Sequence, residues 1–383
     1  MKKITVVLLL VYCSLTYAAF AQSDIKVAIV ITNPYNFERK EELVSVSWDD
    51  VISKYPSIDP ANFRIINAIT QKEVAYQLEY RGETAIQNLL VQVDVAANNS
   101  LKLILQTGKP GLFTAKTYSR FVPERKDDFA WENDKIAFRM YGKAIEGTSE
   151  DAYGIDVWVK STDKLILNER YKRGKYHIDQ GDGMDYYHVG LTLGAGNIAP
   201  YVNDTICYSK NYHNWKILDN GPLRSTFQLY YDEWNVVGMP VKAVKTISLD
   251  AGSLLNRIEA TYQYKNNIEL PIVVGIVKRK EAGTMLLDEQ KGIMAYWEPQ
   301  HGADGITGIG SILLSPVVSM QVNNEQLLTQ IIAKNNEPII YYTGAAWNKG
   351  QTITNAKAWF NYLQIFQQRL QQPMKVTVHK AND

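Results

Sequence analysis

From Asp24 to about Tyr118 the chain alternates between apolar and polar positions. IKVAIVIT, ELVSVSW, FRIINAI, VAYQLEY, NLLVQVDV and SLKLILQTG are short β-branched runs divided by Asn, Gly, Pro and Lys. A half-buried strand needs an apolar side chain at every second residue, so this stretch predicts a small antiparallel sandwich. DDVISKYP (Asp49 to Pro56) interrupts the alternation and predicts one or two helical turns. Pro110-Gly111 then punctuates the chain, and the composition shifts toward Trp, Tyr and charge. Beyond it KIAFRMYG, GIDVWVKS, STFQLYYDEW, VKAVKTISLD, LNRIEATYQY, PIVVGIVKRK, GIMAYWEP and SILLSPVVSM again alternate or run apolar, with Asp250-Ala251-Gly252 as a turn.

One segment has a helical period. In Asn355 to Pro373, residues Ala358, Phe360, Tyr362, Leu363, Phe366 and Leu370 fall near one broad face. Asn355 is the expected N-cap and Pro373 the stop, and the helix is expected to act as a clasp. Many strands and few helices predict an all-β protein. The expected division is a signal peptide over 1–21, an N-terminal β-sandwich over 22–118, and a large antiparallel β-sandwich over 119–383 carrying the one C-terminal helix.

Charge removes some function classes. Forty-one basic and forty acidic residues in 383 leave a net charge of +1, so no global field draws the chain to nucleic acid or an anionic membrane. The start, MKKITVVLLLVYCSLTYAAFAQ, has basic residues, an apolar run and a small-x-small site at Ala19 to Ala21, which predicts cleavage before Gln22 and a periplasmic or secreted protein. Cys13 follows Tyr12, where lipoprotein processing wants a small side chain. No later apolar stretch approaches the roughly 20 residues of a transmembrane helix. Cys207 is then the only cysteine, which excludes an internal disulfide and a cysteine-rich metal site.

STFQLYYDEW followed by VKAVKTISLDAGSLLNRIEATYQY resembles the strands that build the concave, sugar-facing sheet of galactose-mutarotase-like supersandwiches. RFVPERKDDFAWENDKIAFRMYG, GIDVWVKS and YHIDQGDGMDYYHVG together resemble an uncharacterised family of secreted bacterial proteins, filed as a domain of unknown function. Its members are encoded among genes for polysaccharide breakdown, notably of pectin and other uronate glycans. The resemblance implies an acidic glycan as partner without fixing a reaction.

Candidate chemistry concentrates in YHIDQGDGMDYYHVG (Tyr176 to Gly190), which holds two of the five histidines. His177, Asp179, Asp182, Asp185 and His188 are the right residue types for a divalent metal, calcium or zinc, yet their order fits neither a calcium-hand loop nor a helical zinc motif. Asp beside Gly181 and Gly183 also suits plain turn chemistry. Otherwise no cofactor is implied: nucleophile-elbow, phosphate-loop and dinucleotide motifs are missing from the sequence. Elimination from a uronide needs a neutralised carboxylate, a base and an acid. His177, His188, Tyr187 and His213 are the candidate proton carriers, with Arg125 or Arg139 as neutraliser. Hydrolysis needs two carboxylates, for which Asp182, Asp185 and Glu132 are available.

For substrate binding, Trp131 amid the charges of PERKDDFAWEND reads as a stacking platform on a solvated loop, with Glu132 beside it. Arg139 shares a strand face with Tyr141. Trp215 in YSKNYHNWK, His301 in WEPQHGADG, and Trp347 with Lys349 in YYTGAAWNKG complete the set. The expected function is an exported carbohydrate-active enzyme on acidic oligosaccharides, a lyase ahead of a hydrolase or esterase. The alternatives are a noncatalytic glycan-binding or mutarotase-like protein, or an interaction scaffold. The oligomeric state stays open.

Overall fold

The computed structural model describes residues 25–265, 269–350 and 352–380; the signal-peptide reading lies outside them. The fold is built of antiparallel sheets, as expected of an all-β sandwich. Two of the sheets form a small sandwich. One orders the strands Lys375–Lys380, Ile25–Thr32, Ser100–Thr107 and Phe63–Asn67; the other orders Arg39–Ser47, Asn88–Val95 and Tyr76–Glu79. Alternation sends Val27, Ile29, Ile31, Val44, Val46, Leu103 and Leu105 into the space between them. Among the described residues the last strand thus pairs with the first. The helix Trp48–Lys54 plugs one end, with Ser47 as its N-cap.

The larger body has an eight-stranded sheet ordered Asn214–Asn220, Arg224–Val236, Met239–Asp250, Leu255–Tyr264, Pro338–Trp347, Thr307–Leu313, Ile293–Trp297 and Thr284–Asp288. Two five-stranded sheets cover it. The first orders Gly183–Asp185, Ile155–Lys160, Ala137–Met140, Asp128–Asn133 and Thr117–Val122; the second orders Thr205–Ile206, Ala195–Val202, Leu270–Val277, Gln326–Ala333 and Ser319–Val322. A bridge between Ile155 and Gly194 joins the two into one layer. The core between the layers includes Phe129, Trp131, Phe227, Ile258, Tyr296 and Tyr341. Polar ties cross it: Trp131 Nε1 donates to Asn256 Oδ1 at 2.7 Å, and Lys245 Nζ to Asn197 Oδ1 at 2.7 Å.

The clasp helix runs from Ala356 to Gln371, capped by Asn355, whose Oδ1 accepts from Ala358 N at 3.0 Å. Trp359 and Leu363 lie on the strand Thr307–Leu313, where a side chain at Gly308 or Gly310 would meet them at 2.9 and 2.5 Å. Glycine is what lets this helix sit close to the sheet.

One segment departs from the expectation. Asp128–Asn133 is a wholly buried strand, not a solvated charged loop. Phe129 and Trp131 face the eight-stranded sheet. Ala130 faces Leu167 of a second helix, Leu167–Arg173, which the sequence pattern did not disclose.

The longest hairpin turns at Val237-Gly238 with φ of +48° and +85°. Both central residues of such a turn need positive φ, which Asn-Gly adopts readily and a β-branched residue resists. Val237 is exposed, so Val237→Asn should stabilise the protein by about 1 kcal/mol. A urea midpoint that does not rise would contradict this reading of the turn.

Candidate functional site

Two buried strands end at the same place. Leu270–Val277 runs out of the core directly into Lys278-Arg279-Lys280-Glu281, and Ile293–Trp297 into Glu298-Pro299-Gln300-His301. With Tyr186, the segment His188–Thr192 and Asn324–Glu325 they wall a cleft of about 760 Å³, with Tyr187 buried behind them. That volume lies within the usual range of small-molecule sites, roughly 300–1,000 Å³.

Arg279 organises the wall. Its Nε donates to Glu298 Oε1 at 2.6 Å, its Nη1 donates to the His188 carbonyl at 2.6 Å, and its guanidinium lies 4.8 Å from the centre of the Tyr187 ring. Glu298 is 6% exposed. Burial pushes its carboxyl up to about 7, although Arg279 and His301 pull the other way. Desolvation disfavours the carboxylate more strongly than its neighbours stabilise it, so this group exchanges its proton near neutrality. The Tyr187 hydroxyl is buried without a hydrogen-bond partner among the described residues, and burial raises its pKa well above the usual phenol range.

Across the cleft Tyr186 stacks on His301, with ring centres 5.4 Å apart, and its hydroxyl accepts from Thr307 Oγ1 at 2.7 Å. His301 Nδ1 meets Asp304 Oδ2 at 2.9 Å, while the ring stays exposed. Trp347 and Lys349 brace this loop from behind: Trp347 Nε1 donates to Asp304 O at 3.0 Å, and Lys349 donates to the Ala303 carbonyl. Trp347 is buried, so its ring is not a sugar platform. His188 is exposed on the cleft wall.

The other expected site residues lie elsewhere. Arg139 is 4% exposed at the centre of a charge hub. It pairs with Asp156 at 2.6 Å, Asp185 at 3.0 Å and Asp128 at 3.5 Å, among Tyr141, Trp158 and Tyr176. Burial raises Asp128 to about 6 despite Arg139 and Arg125. Arg125 flanks the hub, donating from Nε to Tyr176 Oη at 3.0 Å and from Nη2 to Glu150 at 2.9 Å. His177 is exposed beside it, its Nδ1 2.9 Å from the Asp185 carbonyl oxygen. Thus His177 stands at the hub and His188 at the cleft.

The carboxylates of the opening loop are also committed. Asp179 Oδ1 accepts from Gly181 N and Gly183 N, and Asp182 pairs with Arg170 and Arg173. Among the described residues no group of three or more His, Cys, Asp or Glu side chains is placed to hold a metal ion.

Trp131 is fully buried, so it offers no ring to a sugar, and Glu132 is tied into the fold. Glu132 Oε1 accepts from Ile166 N and Leu167 N at the start of the second helix, and Oε2 receives Lys160 Nζ at 2.7 Å. His213 lies between Glu146, at 3.2 Å, and Asp232, at 2.7 Å. Trp215 is 40% exposed and stacks on Phe121. Neither His213 nor Trp215 lines the cleft.

Sequence reasoning missed Arg279 and Glu298. Their signal is positional: each follows a wholly apolar strand end with at most one residue between, where the core meets the cleft.

The profile of a family described as a domain of unknown function, DUF4861, matches residues 31–376. An uncharacterised protein P7 of Formosa agariphila is 29% identical over 376 residues, covering 91% of this chain and 93% of its own. The fold is similar to that of an alpha-mannosidase from Enterococcus faecalis, with a TM-score of 0.54 at 10% identity over 92% of this chain. It is also similar to a glycosyl hydrolase family 38 protein from Enterococcus faecalis, with a TM-score of 0.52 at 10% identity, again over 92% of this chain. The chain spans about half the length of these two solved structures, 46% and 47%.

Proposed function

The chain belongs to the DUF4861 family, and from that premise we propose that it is an exported carbohydrate-active enzyme that cleaves an acidic oligosaccharide by β-elimination in the Glu298 cleft. The observation that carries the reading is a buried carboxyl with its pKa near 7, set beside three consecutive basic residues and two exposed imidazoles. Lys278, Arg279 and Lys280 neutralise a uronate carboxylate, which makes the neighbouring C–H acidic. An imidazole, His301 or His188, removes that proton, and the protonated Glu298 supplies one to the departing oxygen. The bond between C4 and its oxygen breaks as the C4–C5 double bond forms. Similarity to solved proteins named as sugar-processing enzymes supports a glycan as substrate and leaves the reaction to these residues.

The test is incubation with a panel of uronate glycans while ultraviolet absorbance is followed. The conjugated product absorbs and the substrate does not, so rising absorbance is the expected result. New reducing ends without absorbance would replace elimination by hydrolysis. Binding without any product would leave a glycan-binding or mutarotase-like protein.

A further inference from the structure

A second pocket, of about 380 Å³, lies where the small sandwich, the turn Asp250–Ser253 and the clasp helix meet. The helix supplies Tyr362, Phe366 and Arg369, which share one face because they lie one turn apart. Trp359 and Leu363 bury against the sheet, whereas Phe366 is only partly covered and meets Tyr342 edge-on at 5.3 Å. The pocket therefore offers an aromatic wall.

Its charges do not balance locally. Glu42 gives both carboxylate oxygens to Arg39 and stands 3.9 Å from Arg369 Nη1. Asp250 is held by two nitrogens of Arg224, at 2.5 and 2.9 Å, and Glu41 by Lys135 at 3.0 Å. Each acidic group of the lining thus has its own cation. Arg369 does not have a carboxylate of its own, and its Nε is buried without a hydrogen-bond partner among the described residues. That nitrogen is covered by the fold, so the partly exposed guanidinium meets the pocket through its Nη atoms, and a carboxylate that these two can fork is its best complement.

We propose that this pocket is a second ligand site, which takes a monosaccharide carrying a carboxylate, the acid on Arg369 and the sugar face on Phe366. A pyranose ring fits the volume, and its C–H face suits an aromatic wall. The inference is independent of the chemistry in the cleft.

Calorimetric titration with free hexuronates tests it, using protein in which Arg279→Gln weakens the cleft. One saturable site is expected. Arg369→Lys keeps the charge but loses the fork and should weaken binding about tenfold. Phe366→Ala should weaken it too, and Arg369→Lys alone should leave turnover in the cleft unchanged. Binding that is absent, indifferent to Arg369→Lys, or as tight for acetate as for hexuronate would overturn the proposal. A thermal upshift of the Arg279→Gln protein by hexuronate, lost in Arg369→Lys, supports it even if Phe366→Ala does not fold. Failure of the lyase assay with retained pocket binding would sink the cleft reading alone.

Discussion

Glu298→Gln should lower kcat on a uronate glycan by about 10²–10⁴-fold, the usual worth of a positioned proton donor. Glutamine keeps the shape and still accepts from Arg279, but it has no proton to give. Folding should survive, and the sign of the linkage explains why. Glu298 has a folded pKa near 7, above the ordinary 4.5, so its favourable contribution belongs to low pH and is lost as pH rises through 7. At neutral pH the wild-type carboxyl is near half ionised in a buried place, and a neutral amide avoids that cost. Wild-type kcat should therefore fall above about pH 7 as the donor ionises, and the residual activity of Glu298→Gln should lack that limb. A variant with kcat within about threefold of wild type would remove Glu298 from the chemistry.

The cleft was half legible. His188 drew notice because histidine is scarce and sits in an acidic, glycine-rich stretch. The stretch itself is divided: its carboxylates serve turns and arginines, and only its last residues reach the cleft. Arg279 looked ordinary because VKRKEAG is dense in charge, and Glu298 because a single glutamate just after a strand, ahead of Pro299, reads as the start of a solvated loop. What separates Glu298 from Glu281 is three-dimensional, the closing of two layers over one strand end, which no local pattern records.

The fold was more legible, since periodicity follows burial. The clasp helix and its Asn355 cap were evident because cap, period and stop agree. Asp128–Asn133 failed for a specific reason. Its alternation is intact, with Phe129 and Trp131 on one side and Asp128, Ala130 and Glu132 on the other. Two carboxylates on the second face imitate solvent exposure. Their partners, Arg139 for Asp128 and Lys160 for Glu132, come from neighbouring strands, so the sequence shows the charge and withholds its neutraliser. A charged residue on a strand is evidence for water only when no opposite charge can reach it.

That neutraliser gives the largest expected effect on stability. Arg139→Met should destabilise the protein by about 3–5 kcal/mol at neutral pH, because removing one member of a buried ion cluster leaves the rest uncompensated. Asp128, Asp156 and Asp185 would face one another without the guanidinium. The effect should depend on acidity with a definite sign. Burial already raises Asp128 to about 6 in the presence of Arg139, and burial likewise raises Asp156 and Asp185. A carboxyl with a raised folded pKa is favourable at low pH and loses that advantage as pH rises through the folded value. Without Arg139 these values rise further. Stability of the variant should therefore recover as pH falls from about 7 toward 5, where the carboxyls protonate, while the wild type gains less over the same interval. Adding Asp156→Asn to Arg139→Met should restore part of the loss at neutral pH, since it removes one of the stranded charges. Urea midpoints of the three proteins, wild type, Arg139→Met and the double variant, at two pH values decide the matter. A single variant as stable as wild type, or one whose loss is independent of pH, would mean that Arg139 fills space in the hub without holding its charge.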